Sequence, residues 1–359
     1  MPDSAAPEGS SPRSGFGVVA VSSGDLVILL KNYAALQYDY FAFIKEYFQD
    51  YIQYCLWQSL ESAPIIQRPG QLRFDPIMTT HDIPDLAVVI CRGPDTRNFL
   101  HGQLSNDING LSTGDHCRNA YCNPKGRVIA CIDVIDLGKD CFWLLIPQDL
   151  VQAVSRRLKM FVLRAKVSVE IQDALYVSHH QTDDPPTRGH SYRADNGDLI
   201  INVGVTRDRC LRISEEPGGL DQTWIQNEIA DGVPQVYDAT SEAFLPQAIN
   251  LDLINGVSFT KGCYPGQEIV ARLKYLGKLK QRMMVFEASG EMDAQPGDTI
   301  SIDGSKAGTI VTLSRLDSAT TGLAVVNIAK RQGPDATMGD HPIVLSEPQY
   351  AVPEFEEQD

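Results

Sequence analysis

Positive charge is scarce in this chain: 31 Lys and Arg stand against 46 Asp and Glu, for a formal net charge of -15. A molecule so acidic has no whole-body electrostatic grip on nucleic acid or an anionic membrane. No DNA partner is expected, and RNA contact, also not expected, would need a local basic patch. Paired cysteines are missing too. The 8 cysteines are scattered, no Cys-x-x-Cys occurs, and the nearest two, Cys117 and Cys122, have no second Cys pair to complete a zinc or cluster site. That excludes a disulfide framework and leaves no metal ligand set, so a reducing compartment, the cytoplasm, is expected. The opening Met-Pro-Asp-Ser-Ala-Ala-Pro-Glu has neither the basic segment nor the apolar core of a secretory signal. Apolar runs stay short of the ~18 residues of a membrane-spanning helix, and no internal repeat is visible.

The 359 residues exceed one ordinary core, so two or three domains are expected, and the 43% hydrophobic content can fill them. Residues 1–24, rich in Ser, Pro, Gly and Ala, read as a disordered leader. Residues 25–70 read as an aromatic, helical extension carrying Tyr33, Tyr38, Phe41, Tyr47 and Trp57. Lys45, Glu46 and Asp50 interrupt its apolar run, leaving a helix packed on the body or one that meets a partner or a membrane surface.

From residue 71 to 280 short strands alternate with helices, an α+β pattern. Leu86–Cys91 reads as a strand and Pro94–Leu104 as a helix with Pro in its first turn. Arg127–Leu137 and Cys141–Ile146 flank Gly138-Lys-Asp, the sign of a hairpin. Leu150, Val151, Val154, Leu158 and Phe161 recur at helical spacing, and Val167–Ile171 returns to strand. The polar stretch His179–Asn196 reads as a loop, and strands resume at Leu199–Val203 and Cys210–Ile213. Residues 281–350 carry short strands punctuated by Gly and Pro, a small β-barrel, and residues 351–359 form an acidic tail. The cations Arg272, Lys274, Lys278, Lys280 and Arg282 between these regions read as a solvated loop.

One segment stands out chemically, Lys261-Gly-Cys-Tyr-Pro-Gly-Gln-Glu268. Its cysteine follows a cation by two residues at a Gly/Pro turn that leads into a helix start. A nearby cation and a helix N-terminus both favour thiolate, so Cys263 is the candidate reactive residue, with Lys261 lowering its pKa. Gln267 and Glu268 could orient a partner by hydrogen bonding, and Arg272 closes the segment.

The string Lys-Gly-Cys-Tyr-x-Gly-Gln-Glu-x-Val-Ala-Arg resembles the signature of the YgfZ family, folate-binding relatives of the glycine-cleavage T-protein. The likeness extends to Phe99-Leu-His-Gly-Gln-Leu-Ser-Asn-Asp107, Asn123-Pro-Lys-Gly-Arg127 and Leu163-Arg-Ala-Lys-Val167. It covers about Asp85 to Arg282, and more loosely the barrel; the first 70 residues have no counterpart. The resemblance implies three domains in a ring around a central folate site, with a ferredoxin-like element and a C-terminal β-barrel. It implies tetrahydrofolate or a related reduced folate as cofactor. It also gives Trp224 as a folate-contacting residue and Leu86 as the occupant of a second contact position where some relatives carry Trp. Stacking of a pterin on indole makes the first assignment physically reasonable.

The T-protein's working acid follows a Gly-Gly-x-x-Asp-Asp turn, and Ala130 and Cys131 stand where this chain would need carboxylates. Asp133 lies ~6.6 Å along the strand, too far for a one-for-one replacement. Aminomethyl transfer is therefore not expected. The resemblance implies instead a role in assembly or repair of iron-sulfur enzymes, including tRNA-modifying enzymes, with those clients or assembly factors as partners and Cys263 redox-active. The alternatives are a folate-dependent aminomethyltransferase or demethylase using another acid, and an RNA-binding module resting on the cations from Arg272 to Arg282.

Overall fold

The computed structural model describes residues 86–353 except 220, 221, 278, 291, 317, 318, 332 and 334. The leader over 1–24, the aromatic stretch over 25–70 and most of the acidic tail lie outside the described residues. In chain order the first elements are β1 (Leu86–Arg92), α1 (Thr96–Gln103), β2 (His116–Cys122), β3 (Val128–Asp136), β4 (Cys141–Pro147), α2 (Val151–Val162) and β5 (Ser168–Ile171). The strands form one sheet in the order β2-β3-β4-β1-β5. Every residue of β3 is buried, and so are Ala87 to Cys91 of β1. Such runs show no alternation because both faces of these strands are covered. α2 lies over β1 and β5 and turns Val151, Val154, Ser155 and Leu158 inward, one helical stripe. The β3–β4 hairpin turns at Gly138, Lys139 and Asp140, all at positive φ.

A second sheet holds β6 (Tyr176–His180), β7 (Ser191–Arg193), β8 (Leu199–Asn202) and β9 (Cys210–Ser214) in the order β6-β9-β8-β7. Here the loop expected over His179–Asn196 needs correction. Its start is the end of β6, and Ser191–Arg193 is a strand paired with β8. The pairing partner, rather than any alternation in Ser-Tyr-Arg, makes it a strand.

After α3 (Gln222–Ala230) and α4 (Gln267–Leu276) come β10 (Gln281–Ser289), β11 (Thr299–Ile302), β12 (Ser305–Leu316), β13 (Ala319–Asn327), β14 (Ala336–Met338), β15 (His341–Pro342) and β16 (Val344–Ser346). They build the C-terminal β-barrel, a seven-stranded sheet in the order β15-β14-β11-β12-β13-β10-β16. Period-2 alternation decides where its side chains go. Met284, Phe286, Ile300 and Ile310 fill the barrel's own core, whereas Met283, Val285, Val311 and Val325 join the core of the preceding region. α3 packs on β12 and β13. Polar bonds reinforce the junction: Asn250 Nδ2 donates to the carbonyl of Met283 at 2.9 Å, and Tyr350 donates its hydroxyl to the carbonyl of Gly232 at 2.7 Å.

The expected solvated basic loop is likewise corrected. Arg272 and Lys274 are on α4, and Arg282 is a buried residue of β10 whose guanidinium meets Asp252 at 2.6 and 3.0 Å. Burial forced that pairing, since an unpaired buried cation is costly. Arg282 is therefore not part of a nucleic-acid face.

Candidate functional site

Three of the sequence's distinctive segments meet at the cysteine turn. Gly266, at φ +80°, lies so close to the Asn123–Arg127 turn that a Cβ there would stand 2.5 Å from both the Asn123 carbonyl oxygen and the Gly126 Cα. Only glycine fits that approach. The end of α1 supports the other side. Ser105 donates its hydroxyl to the Gly256 carbonyl at 2.6 Å, and Ser258 N donates to the Ser105 carbonyl at 3.0 Å. Lys261 donates its ammonium to the carbonyls of His101 and Leu104, with its Nζ 5.2 Å from the Tyr264 ring centre.

This geometry revises the role expected for Lys261. Its donors close the C-terminal end of α1, where carbonyls lack helical partners and the dipole favours a cation. Burial brings the ammonium down to about 8. Lys261 is a strut that fixes the turn, its ammonium held against the end of α1. Gln267 Nε2 donates to the Lys261 carbonyl at 3.4 Å, tying the first residue of α4 back to the same turn. Glu268 and Arg272 are exposed, and so is Cys263.

Among the other described cysteines, Cys91, Cys122, Cys131 and Cys210 are buried. Burial pushes Cys91, Cys117 and Cys131 up to about 12 each, and Cys122 higher still. Reaction requires both access and thiolate. In competitive alkylation near neutral pH read by peptide mass spectrometry, Cys263 should therefore react at least ~10-fold faster than these buried cysteines. Comparable rates would mean that the turn is closed in solution.

A second constellation lies deeper and was not anticipated from the sequence. Arg118 on β2 faces Asp133 on β3 in register, with Nε to Oδ1 at 3.0 Å and Nη2 to Oδ2 at 3.2 Å. His116 Nε2 approaches the same carboxylate at 2.9 Å. Burial alone would raise the Asp133 pKa, but Arg118 and His116 hold it well below the usual carboxylate range. Glu228 on α3 lies within electrostatic reach of Arg118, and its carboxyl is pushed up, chiefly by burial. Arg209 joins it, 3.3 Å from Glu228 and 2.9 Å from Asp231, and burial pulls its guanidinium down. Among the described residues, Arg118 Nη1 is buried with no hydrogen-bond partner.

Trp224 belongs to this second group. Its ring is only 1% exposed, with Arg209 Cζ 4.7 Å from its centre and His179 at 5.7 Å, tilted. The ring thus meets protein side chains at present, and a stacking ligand would have to displace them. A cavity of about 210 Å³, lined in part by His179, Arg209 and Asn227, opens beside these two covers. Leu86 lines a different cavity of about 250 Å³, with Ile171, Leu175 and Tyr176. Trp224 and Leu86 are therefore not two faces of one cavity. Ala130 and Cys131 are buried in β3, opposite Tyr121 and Ala120 of β2.

A signal for the deep cluster existed. Glu228 follows Trp224 by one helical turn, and Asp133 interrupts the apolar run from Val128 to Ile135. A charge inside a strand covered on both faces requires a partner.

Among the described residues, no helix is long and apolar enough to cross a membrane. The model of the CAF17 C-terminal beta-barrel domain matches residues 280–352. Over 244 residues the chain is 30% identical to an uncharacterized protein of Haemophilus influenzae, spanning 66% of this chain and 84% of that one. It is 27% identical over 275 residues to the tRNA-modifying protein YgfZ of Aliivibrio fischeri strain MJ11, covering 70% of this chain and 86% of the relative. In structure it is similar to the glycine cleavage system aminomethyltransferase T from Bartonella henselae, with a TM-score of 0.58, 13% identity, and coverage of 75% of this chain and 84% of that one. That likeness concerns the fold.

Proposed function

This chain belongs to the YgfZ family, and we propose that it binds tetrahydrofolate or a related reduced folate and uses Cys263 to support assembly or repair of iron-sulfur enzymes, including enzymes that modify tRNA. The observation that carries the folate half is the buried Arg118 Nη1 with no partner, within electrostatic reach of Glu228, whose carboxyl burial pushes up. Buried donors are ordinarily satisfied, and one left over in a cluster that also holds a buried acid suits a polar ring that can accept from the first and donate to the second. A pterin is such a ring. Its flat face also suits the Trp224 indole, with entry from the cavity at His179 and Arg209. When bound, the reduced folate supplies an oxidisable ring with nucleophilic nitrogens. The chain's own residues bind and orient it and keep water out.

Cys263 supplies the other half: an exposed thiol on a turn braced by Lys261, Gly126 and Gly266. It is accessible to a client protein without unfolding. Aminomethyl transfer is not part of this reading, because Ala130 and Cys131 carry no carboxylate and Asp133 is committed to Arg118 and His116. Calorimetry with tetrahydrofolate on the whole protein tests the site. Binding should occur, and Glu228→Gln, which preserves shape, should weaken it by ~1–3 kcal/mol. An unchanged affinity in that variant would remove the cluster from the folate site.

A further inference from the structure

The end of α2 faces away from the core and combines exposed apolar side chains with concentrated positive charge. Met160, Phe161 and Leu163 are 64%, 41% and 87% exposed. Arg156, Lys159, Arg164 and Lys166 are exposed among them. Arg157 lies over Phe161, its Cζ 5.5 Å from the ring centre. From Val151 to Val169 the chain carries no Asp or Glu. The acids at the margins are Asp95, which accepts from Lys166 N at 2.7 Å, Asp149, which accepts from Asp238 N at 2.8 Å, and Glu170. The helix spends Val151, Val154 and Leu158 on the core and packs Val162 against it, which leaves Met160 and Phe161 on the outer face of its last turn. Leu163 stands just past the helix at φ 44°.

We propose that this helix end docks on an anionic phospholipid surface, with Met160, Phe161 and Leu163 entering the boundary between headgroups and acyl chains. Arg156, Lys159, Arg164 and Lys166 then meet the lipid phosphates around them. Apolar tips collared by cations gain from both layers of a bilayer surface at once. The net charge of -15 does not oppose this. Charges beyond a Debye length of about 8–10 Å are screened at physiological salt, so the local collar dominates at contact. A nucleic acid would satisfy the cations but leave Met160 and Leu163 in water, and Arg157 already occupies part of the Phe161 ring. The lipid surface accounts for both the apolar tips and the cations around them.

Co-sedimentation of the whole protein with vesicles decides the matter. Phosphatidylcholine vesicles should retain little protein, vesicles of phosphatidylcholine with phosphatidylglycerol should retain much more, and added salt should reduce the difference. Two variants separate the contributions: Met160→Ser with Leu163→Asp, and Arg156→Gln with Lys159→Gln. Each should weaken binding to the mixed vesicles at least ~10-fold, while melting temperature stays unchanged because these side chains are exposed. Equal retention by the two vesicle types, or wild-type binding by both variants, overturns the proposal. So does binding of bulk transfer RNA that both variants lose while vesicles are ignored.

Discussion

Asp133→Ala should cost the protein about 3–5 kcal/mol of stability, measured by urea unfolding at neutral pH. The carboxylate is the shared partner of Arg118 and His116 inside a sheet covered on both faces. Removing it strands a guanidinium that is itself 8% exposed. Glu228 offers partial relief, but its carboxyl is already pushed up by burial. The double variant Arg118→Met with Asp133→Leu should recover much of the loss, because an apolar pair avoids the desolvation both charges suffer. The pH dependence has a definite sign. The folded pKa of Asp133 is depressed, so its contribution is complete above the ordinary carboxylate pKa of about 4 and is lost as pH falls below it toward the folded value. Asp133→Asn should flatten that acid limb. A loss under about 1 kcal/mol in the alanine variant would mean that water reaches the pair.

The strands and helices that could be read from the sequence are those whose signal is local. Gly138-Lys-Asp between two apolar runs announced the β3–β4 hairpin, and the stripe Val151, Val154, Leu158 announced α2. β7 was invisible because Ser191, Tyr192 and Arg193 become a strand only by pairing with β8. Arg282 looked like one of a run of solvated cations because its partner, Asp252, is 30 residues away in sequence. The site divides the same way. Cys263 was legible because its turn writes itself in Gly262, Pro265 and Gly266. The task of Lys261 was not, since the carbonyls it closes belong to residues at least 157 positions earlier. Nor was the Arg118–Asp133–Glu228 grouping, which exists only after β2, β3 and α3 have assembled.

Cys263→Ser should abolish support of client enzymes while leaving the protein folded and able to bind folate. The sulfur is exposed, so exchanging it for a hydroxyl should change stability by no more than about 0.5 kcal/mol. The turn itself is held by Lys261, Gly126 and Gly266, none of which relies on the sulfur. A hydroxyl keeps the shape but forms neither a thiolate near neutral pH nor a sulfur–sulfur bond, so a chemical role is removed and a packing role spared. In cells lacking the protein, activity of an iron-sulfur tRNA-modifying enzyme should return with the wild-type chain and stay at the deletion level with the serine variant. Calorimetry with tetrahydrofolate should give the same affinity for both, because the cluster proposed to hold the folate lies on β2, β3 and α3. Full restoration by Cys263→Ser would make the thiol incidental and leave only the folate half standing. Loss of folate binding together with loss of client activity would instead mean that the cysteine turn and the buried cluster form one site.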